Sequence, residues 1–262
     1  MEPPLPGYLA PPPVAALRQL AGYGRGLTSW RTGPEAPGVL IFAQGRSGST
    51  LLVELLNSLA EVRCEGEILQ RRVAFPAAWA EAHRRRHRDR LYGFKVKPLQ
   101  LLHHQRVPDM GRWLARMQGR DWRLIHLERR NLLRQVVSNV AAERYGYGRR
   151  VGASGPVREP LHVDPAVLTY WMGVRARSRE QEHAALAGLP HETVCYEDDL
   201  GDPVSQQAAL DRLAAVLGVE SAAAAPTLRP ANPGRLADTV ANYAEIRRAL
   251  KGGSWERYLD PA

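Results

Sequence analysis

The sequence predicts a single three-layer α/β domain, in which a central, mostly parallel sheet is flanked by helices. Three observations lead to this prediction. Short, continuous apolar runs are typical of strands that a parallel sheet buries on both faces. These runs alternate along the chain with helical patterns of apolar residues. The length of 262 residues is enough for one such domain with a sizeable core.

Each predicted element has its own apolar pattern. Continuous apolar runs predict four strands, at 39–44, 91–96, 122–127 and 192–196. Apolar residues that recur every three or four positions predict four helices, at 50–59, 131–144, 166–186 and 204–217. Gly218 follows the last of these as a stop signal. The tail at 242–258 is predicted as one more helix with a short continuation.

The domain is predicted to span residues 39–262, after an N-terminal arm at 1–38 that is rich in proline and glycine. Residues 145–165 are glycine-rich and show no periodic pattern. Loops of this length inside a domain are often functional lids or disordered. The charge run HRRRHRDR at 83–90 is predicted to be the solvated end of a helix.

The composition limits the class of protein. The net charge of +9, from 36 Lys and Arg against 27 Asp and Glu, fits an anionic small molecule, nucleic acid or a membrane surface as partner. Only two cysteines occur, which is too few for a disulfide framework and does not suggest a zinc site. The N-terminus lacks the pattern of a signal peptide, and no apolar run is long enough for a membrane helix. We therefore expect a soluble, cytoplasmic protein without a metal site.

The sequence GRSGST at 45–50 separates the first strand from the first helix. A tight turn at this place aims backbone N–H groups at one point beside the positive end of the helix, which favours an anion. The hydroxyl groups of the loop add donors, and Arg46 adds a permanent charge. The segment is therefore P-loop-like, but it lacks the lysine and the length of the loop in nucleotide triphosphatases. No clear acidic residue ends a strand to hold Mg²⁺, which disfavours an ATPase or kinase.

A second anion site is predicted at the start of the helix at 131–144. Arg130 stands just before it, Asn131 is a candidate cap, and Ser138 follows two turns later. Arg130 and Ser138 share one line of the helix, away from its apolar stripe. An arginine and a hydroxyl in this arrangement could hold one phosphate from two sides.

Taken together, the two segments resemble the sulfotransferases that use 3′-phosphoadenosine 5′-phosphosulfate (PAPS). The match spans about 39–259 and is most similar to the bacterial branch with trehalose- and nodulation-factor-type enzymes, on the stretches GRSGSTLL, RRNLLRQVVS and VCYEDDL and on a C-terminal segment. The resemblance implies that the 5′-phosphosulfate is bound by Arg46, Ser47, Gly48, Ser49, Thr50 and Leu51. It implies that Arg130 and Ser138 bind the 3′-phosphate. It also implies metal-independent transfer of a sulfuryl group, with Arg46 at the leaving phosphate.

The resemblance further implies a carboxylate that accepts the proton of the attacking acceptor. Glu67 is our first choice and Glu65 the close rival, both in CEGEIL after the first helix. Because other branches use histidine, three histidines remain as fallback candidates: His103, His104 and His126.

Other residues take further roles within the same resemblance. Lys95 and Lys97 alternate along a strand and so point to one face of the sheet, where they could contact the sulfonate or the acceptor. Arg229 is a candidate for the 3′-phosphate, and Tyr196 could contact the adenine. The acceptor itself is open: a small molecule, a glycan or a lipid with a hydroxyl or amine, bound between 75–90 and 145–165.

Two other functions remain possible on the sequence. One is a P-loop-type kinase or nucleotide-binding protein with a degenerate loop, which would require Mg²⁺. The other is a nucleic-acid-binding protein, suggested by the net charge and the charge run. The chain has no basic stretch with interleaved aromatic residues that would stack on bases, so nucleic acid is the weakest of the three.

Overall fold

The fold is built on a five-stranded sheet in which all neighbouring strands are parallel, in the order β2-β3-β1-β4-β5. A computed structural model describes residues 36–87, 89–145, 159–228 and 234–260. The strands are β1 (Gly38–Ala43), β2 (Val62–Glu65), β3 (Leu91–Val96), β4 (Trp122–Glu128) and β5 (Glu192–Cys195). This confirms the predicted three-layer α/β class.

Helices follow or connect the strands, as parallel pairing requires. They are α1 (Ser49–Leu56), α2 (Pro76–Arg86), α3 (Met110–Gln118), α4 (Leu132–Tyr145), α5 (Pro165–Leu186), α6 (Tyr196–Asp199), α7 (Pro203–Leu217), α8 (Leu236–Thr239) and α9 (Tyr243–Leu250). A π-helical turn at Gln100–His104 and a 3₁₀ turn at Glu256–Tyr258 complete the set. Within the described ranges, no helix combines the length and the apolar character needed to cross a membrane.

The central strand β1 is buried on both faces, and its side chains alternate between two cores. Val39 and Ile41 pack with α1 and α7 on one face. Leu40 and Phe42 pack with α3 and the end of α5 on the other. A third cluster joins α4, the first half of α5 and the C-terminal turns. The chain connects β1 first to β2 and β3 on one side and later to β4 and β5 on the other, so the carboxyl end of β1 faces the crevice where such sheets bind ligands.

Two predictions for individual segments need correction. The tail at 242–258 is not one helix: α9 ends at Leu250, Gly252 adopts a left-handed φ of 77°, and a separate 3₁₀ turn follows. The charge run at 83–90 does end a helix, α2, but it is not wholly solvated. Arg84 is buried because its guanidinium donates to Glu81, 2.8 Å from Nη2 to Oε2, and to the carbonyl of Ala36.

Candidate functional site

The loop after β1 turns tightly, and its carbonyl groups are held by other segments. Arg46 and Gly48 both have positive φ, 66° and 98°. The carbonyl of Gly45 accepts from Gln135 Nε2 at 2.9 Å, and that of Arg46 accepts from Arg129 Nη1 at 3.2 Å. Ser47, fully buried, donates its hydroxyl to the carbonyl of residue 44. Because these carbonyl oxygens accept hydrogen bonds within the protein, their partial negative charge does not oppose an incoming anion.

Helix α1 begins directly after this loop without a side-chain cap. Its N-cap is Gly48, which has no side-chain oxygen to offer. The first N–H groups of a helix have no acceptor within the helix, so this end can bind an anion. A side chain at Gly48 would not fit, because a Cβ there would lie 2.5 Å from the Tyr196 ring. Tyr196 thus packs against the loop from α6.

Two lysines and a carboxylate meet beside the start of α1. The buried Lys95 donates from Nζ to Thr50 Oγ1 at 2.9 Å and lies 3.5 Å from Ser49 Oγ. Its Nζ is also 3.4 Å from Glu67 Oε1, while Lys97 Nζ is 2.9 Å from Glu67 Oε2. The structure therefore brings the predicted Glu67 and Lys95 together with the hydroxyls of the loop.

Glu67 is held in its ionised form. Burial by itself raises the pKa of this carboxyl, but the hydrogen bond and charge of Lys97, then those of Lys95, outweigh it and leave the pKa below the usual value. Gln100 Nε2 adds a donor at 2.6 Å from Glu67 Oε2. The carboxylate is thus fixed and deprotonated at neutral pH.

The rival carboxylate, Glu65, belongs to a different cluster. Its Oε2 accepts from Tyr92 Oη at 3.0 Å and lies 3.4 Å from His83 Nδ1, and its Oε1 lies 3.5 Å from His87 Nε2. The hydrogen bond with His83 is the largest influence that lowers the Glu65 pKa to about 2. These partners lie on α2, directly after it and on β3, so Glu65 ties the end of α2 to the sheet.

Arg46 and Ser138, 92 residues apart in sequence, are in direct contact. Arg46 Nε donates to the Ser138 hydroxyl at 3.1 Å, and Ser138 is buried in α4. The two segments that carry the resemblance therefore meet at the carboxyl end of β1. Ser138 points to the loop because it lies on the side of α4 that also presents Gln135 to Gly45.

Arg130 and Ser138 do not share a partner in this structure. Arg130 Nη2 is hydrogen-bonded to Asp198 of α6, and the Arg130 side chain is about half exposed. Glu197 accepts from the backbone N–H groups of Arg130 and Asn131, at 2.9 and 3.0 Å, while Asn131 Oδ1 accepts from Arg134 N–H at 2.9 Å and caps the start of α4 as predicted. The predicted phosphate-binding arginine is thus directed to the acidic helix α6.

The neighbouring Arg129 was not singled out in the sequence. Its side chain is only 12% exposed, its guanidinium lies 4.3 Å above the Tyr196 ring, and it donates to the carbonyl of Arg46. Burial lowers the Arg129 pKa. The pair of arginines at 129 and 130 was the available signal, but a sequence does not tell which of two adjacent side chains turns inward.

A cavity of about 240 Å³ opens between α4 and the first half of α5. Four valines and Trp171 form its apolar wall, and its polar lining includes Asn139, Glu143, His162 and Arg175. Part of this lining comes from the predicted acceptor segment 145–165, and none comes from 75–90. The residues at 146–158 lie outside the described part of the chain.

The cavity adjoins the loop through Arg175. A Cβ placed on Gly45 would lie 3.9 Å from Arg175 Nη1 and 3.8 Å from Lys97 Cε. Arg175 also accepts at its carbonyl from Gln44 Nε2, at 3.2 Å. The cavity, the loop and the pair of Lys97 with Glu67 therefore follow one another along the carboxyl edge of the sheet.

The remaining candidates are three histidines and Arg229. His103 is exposed on the π-helical turn, and His104 Nδ1 lies 2.7 Å from the carbonyl of Gln70. His126 is buried, with Nε2 3.7 Å from Glu182. Arg229 is outside the described residues. In comparisons with known proteins, no family model matches the chain, and no curated protein is significantly similar to it.

Proposed function

We propose that the protein is a PAPS-dependent sulfotransferase that acts on a hydroxyl or amine of a small-molecule, glycan or lipid acceptor. The observation that carries the proposal is the contact between Arg46 and Ser138, at 3.1 Å. It joins the two segments whose motifs resemble this family, across 92 residues of sequence. The free, buried state of Cys64 and Cys195 supports the proposed cytoplasmic location.

In the proposed reaction, the acceptor oxygen attacks the sulfur while the bond from sulfur to the 5′-phosphate oxygen breaks. Glu67 takes the acceptor's proton. Charge develops on the departing phosphate, where Arg46, Lys95 and the first N–H groups of α1 stabilise it. These donors are held in place before the reaction, Lys95 by Thr50 and Arg46 by Ser138. Little reorganisation is then needed in the transition state.

Arg130 takes the 3′-phosphate in this proposal by leaving Asp198. Both side chains of that ion pair are more than half exposed, so solvent already screens their attraction. A phosphate has two negative charges to offer to the same guanidinium. Arg129 stays with Tyr196, where its buried guanidinium donates to the loop carbonyl of Arg46.

The cavity beside Arg175 is the proposed acceptor site. It offers an apolar wall with Trp171 and hydrogen-bonding groups opposite, which suits an amphiphilic acceptor. Its position next to Gly45 would bring an acceptor group to the loop from the side of α4 and α5.

The proposal is tested by transfer of label from sulfur-35 PAPS to a panel of acceptors, without added Mg²⁺. Arg46→Ala is expected to reduce the rate about 100-fold or more, as for other transition-state donors. Arg116→Ala, an exposed arginine on α3, is the control and should leave the rate unchanged. Phosphate transfer from ATP with Mg²⁺, and none from PAPS, would instead establish the kinase alternative.

The assignment of Arg130 has a separate test in cofactor binding. By calorimetry, Arg130→Ala should weaken 3′,5′-adenosine bisphosphate at least tenfold but leave adenosine 5′-phosphosulfate, which lacks the 3′-phosphate, unchanged. Equal weakening of both ligands would show that Arg130 does not contact the 3′-phosphate.

A further inference from the structure

Strand β4 and helix α5 bring two histidines and a carboxylate into one cluster outside the anion-binding loop. His126 and Glu128 are two residues apart on β4, so their side chains share one face of the sheet. His183 of α5 lies over them. One potential ligand atom from each of the three lies within 4.8 Å of the others, and His183 Nε2 is 3.3 Å from Glu128 Oε2.

The buried imidazole of the cluster has an unused nitrogen. His126 is 2% exposed, and among the described residues its Nε2 has no hydrogen-bond partner. The carboxylate oxygen of Glu182 lies at 3.7 Å, too far for a hydrogen bond. A buried polar atom without a partner costs free energy, and most buried polar atoms of native proteins have a partner. A neutral imidazole nitrogen can gain such a partner by giving its lone pair to a metal ion.

The charge around the cluster also favours a cation. Glu182 is 1% exposed, and its Oε2 accepts from the neutral Gln44 amide at 3.2 Å. Its other oxygen, Oε1, has no hydrogen-bond partner among the described residues. The ion-pair partner that the structure gives Glu182 is His126, which is charged only when protonated. A divalent ion on His126 would compensate both this carboxylate and that of Glu128.

We propose that His126, Glu128 and His183 bind one divalent transition-metal ion of the zinc class. Two imidazoles and one carboxylate suit Zn²⁺, Co²⁺ or Ni²⁺ rather than the oxygen-seeking Mg²⁺ and Ca²⁺. Ligand bonds of about 2.0–2.1 Å in a tetrahedron place ligand atoms about 3.3 Å apart. His183 and Glu128 already meet this spacing, and the half-exposed His183 ring can move to close the site on His126.

The ion would fasten α5 to the end of β4, close to the loop but apart from the reacting groups. One turn before His183 in α5, Arg179 donates to the carbonyls of Arg129 and Arg130 at 2.6 and 3.0 Å. Gln44, at the end of β1, is tied to the same helix through Glu182. The role inferred is therefore structural, and it does not depend on the proposed sulfotransferase activity. The sequence alone predicted no metal because His183 is far from the other two ligands in sequence.

The experiment uses the full chain without a polyhistidine tag, stripped of metal and titrated with Zn²⁺ by calorimetry and with Co²⁺ by visible absorption. We expect one ion per chain, a Co²⁺ absorption typical of four-coordination, and a rise in melting temperature with Zn²⁺. His183→Ala, at an exposed position, should fold and weaken Zn²⁺ at least tenfold, and Glu128→Gln should do the same. His103→Ala, an exposed histidine elsewhere, should bind as the wild type does.

Each outcome decides the proposal. Absence of saturable Zn²⁺ binding, or equal affinity in His183→Ala and the wild type, would overturn it. So would an equal loss of affinity in His103→Ala, because binding would then be a property of surface histidines in general. Tighter binding of Mg²⁺ than of Zn²⁺ would contradict the assigned ligand chemistry.

Discussion

Replacing Gly48 with alanine tests how closely Tyr196 packs on the loop. Gly48 has a φ of 98°, in the left-handed region where a Cβ is strained. The added Cβ would also lie 2.5 Å from Tyr196 Cδ2, 3.0 Å from its Cε2 and 3.3 Å from Leu200 Cδ1. The overlap is with a ring that Arg129 covers on one face, so the ring cannot turn away freely.

The two costs can be estimated separately. An alanine in the left-handed conformation costs roughly 1–2 kcal/mol. Overpacking in a well-packed region costs typically about 1–3 kcal/mol more. Gly48→Ala should therefore lower the free energy of unfolding by about 2–5 kcal/mol, with a fall in melting temperature of about 2–4 °C per kcal/mol for a chain of this size.

A matched variant isolates the overlap. Gly188 also has a positive φ, 74°, but a Cβ there meets nothing within 4 Å. Gly188→Ala should therefore show the backbone cost alone, and the difference between the two variants in urea unfolding measures the contact with Tyr196. In a Tyr196→Ala background, the further change Gly48→Ala should cost about as much as Gly188→Ala does in the wild type, because the overlapping ring is gone. If the two alanine variants lose equal stability, Tyr196 does not pack on the loop and the described arrangement of the site is wrong.

Three further perturbations test charges that the structure pairs. Lys97→Met removes the main partner that lowers the Glu67 pKa, so the acidic limb of the pH dependence of kcat/KM should move to higher pH; an unchanged limb would exclude Glu67 as the base. For Glu65, the pKa falls from 4.5 to about 2 on folding, so its contribution is complete above about pH 4.5 and is lost as the pH falls toward 2. The stability difference between the wild type and Glu65→Gln in urea should therefore shrink from pH 5 to pH 3, and a constant difference would contradict this. Glu81→Leu removes the carboxylate that pairs with the buried Arg84 and accepts from Trp122 Nε1, and it should cost about 3 kcal/mol in urea unfolding; Glu81→Leu/Arg84→Leu should recover the part that belongs to the Arg84 pair. Equal losses in the single and double variants would refute that pairing.

The strands that are apolar throughout could be predicted from sequence, because a strand buried on both faces has a continuous run of apolar residues. The run at 91–96 is β3 with the predicted bounds, and 204–217 lies in α7, which ends at Gly218 with a left-handed φ of 67°. In contrast, β2 was not predicted. It has four residues that are alternately buried and open, too few for a period to show.

Of helix α2, only the C-terminal end was predicted, from the charge run at 83–90, and the rest was missed for a different reason. Its sequence is PAAWAEAHRRR, in which alanines and one tryptophan form no evident apolar stripe. Polar contacts add to the apolar packing of its alanines: Glu81 accepts from Trp122 Nε1 at 2.6 Å and pairs with Arg84, and His83 contacts Glu65. Such pairs form only when distant strands are in place, so no local sequence pattern predicts them.

Within the site, the sequence could name residue types at the loop but not their partners. Lys95 and Glu67 converge because parallel pairing aligns the carboxyl ends of β2 and β3 beside β1. Arg129 turns inward and Arg130 outward because the strand ends there and α6 offers Tyr196 to one and Asp198 to the other. Tertiary packing determines these partners and orientations, and a sequence motif does not contain that information.

In the proposed reaction, the electrostatics of the loop region suit its two cations to different roles. Lys95 is nearly buried and paired with Glu67, so salt screens this pair little. Arg130 is exposed and paired with the equally exposed Asp198, so an anion of higher charge can compete for it. A fixed group is suited to a charge that appears only in the transition state, since it needs no reorganisation when that charge develops. An exchangeable group is suited to a charge that has to bind and then leave. The site thus combines both kinds of cation along one edge of the sheet, with the fixed one at the loop and the exchangeable one at the entrance to α4.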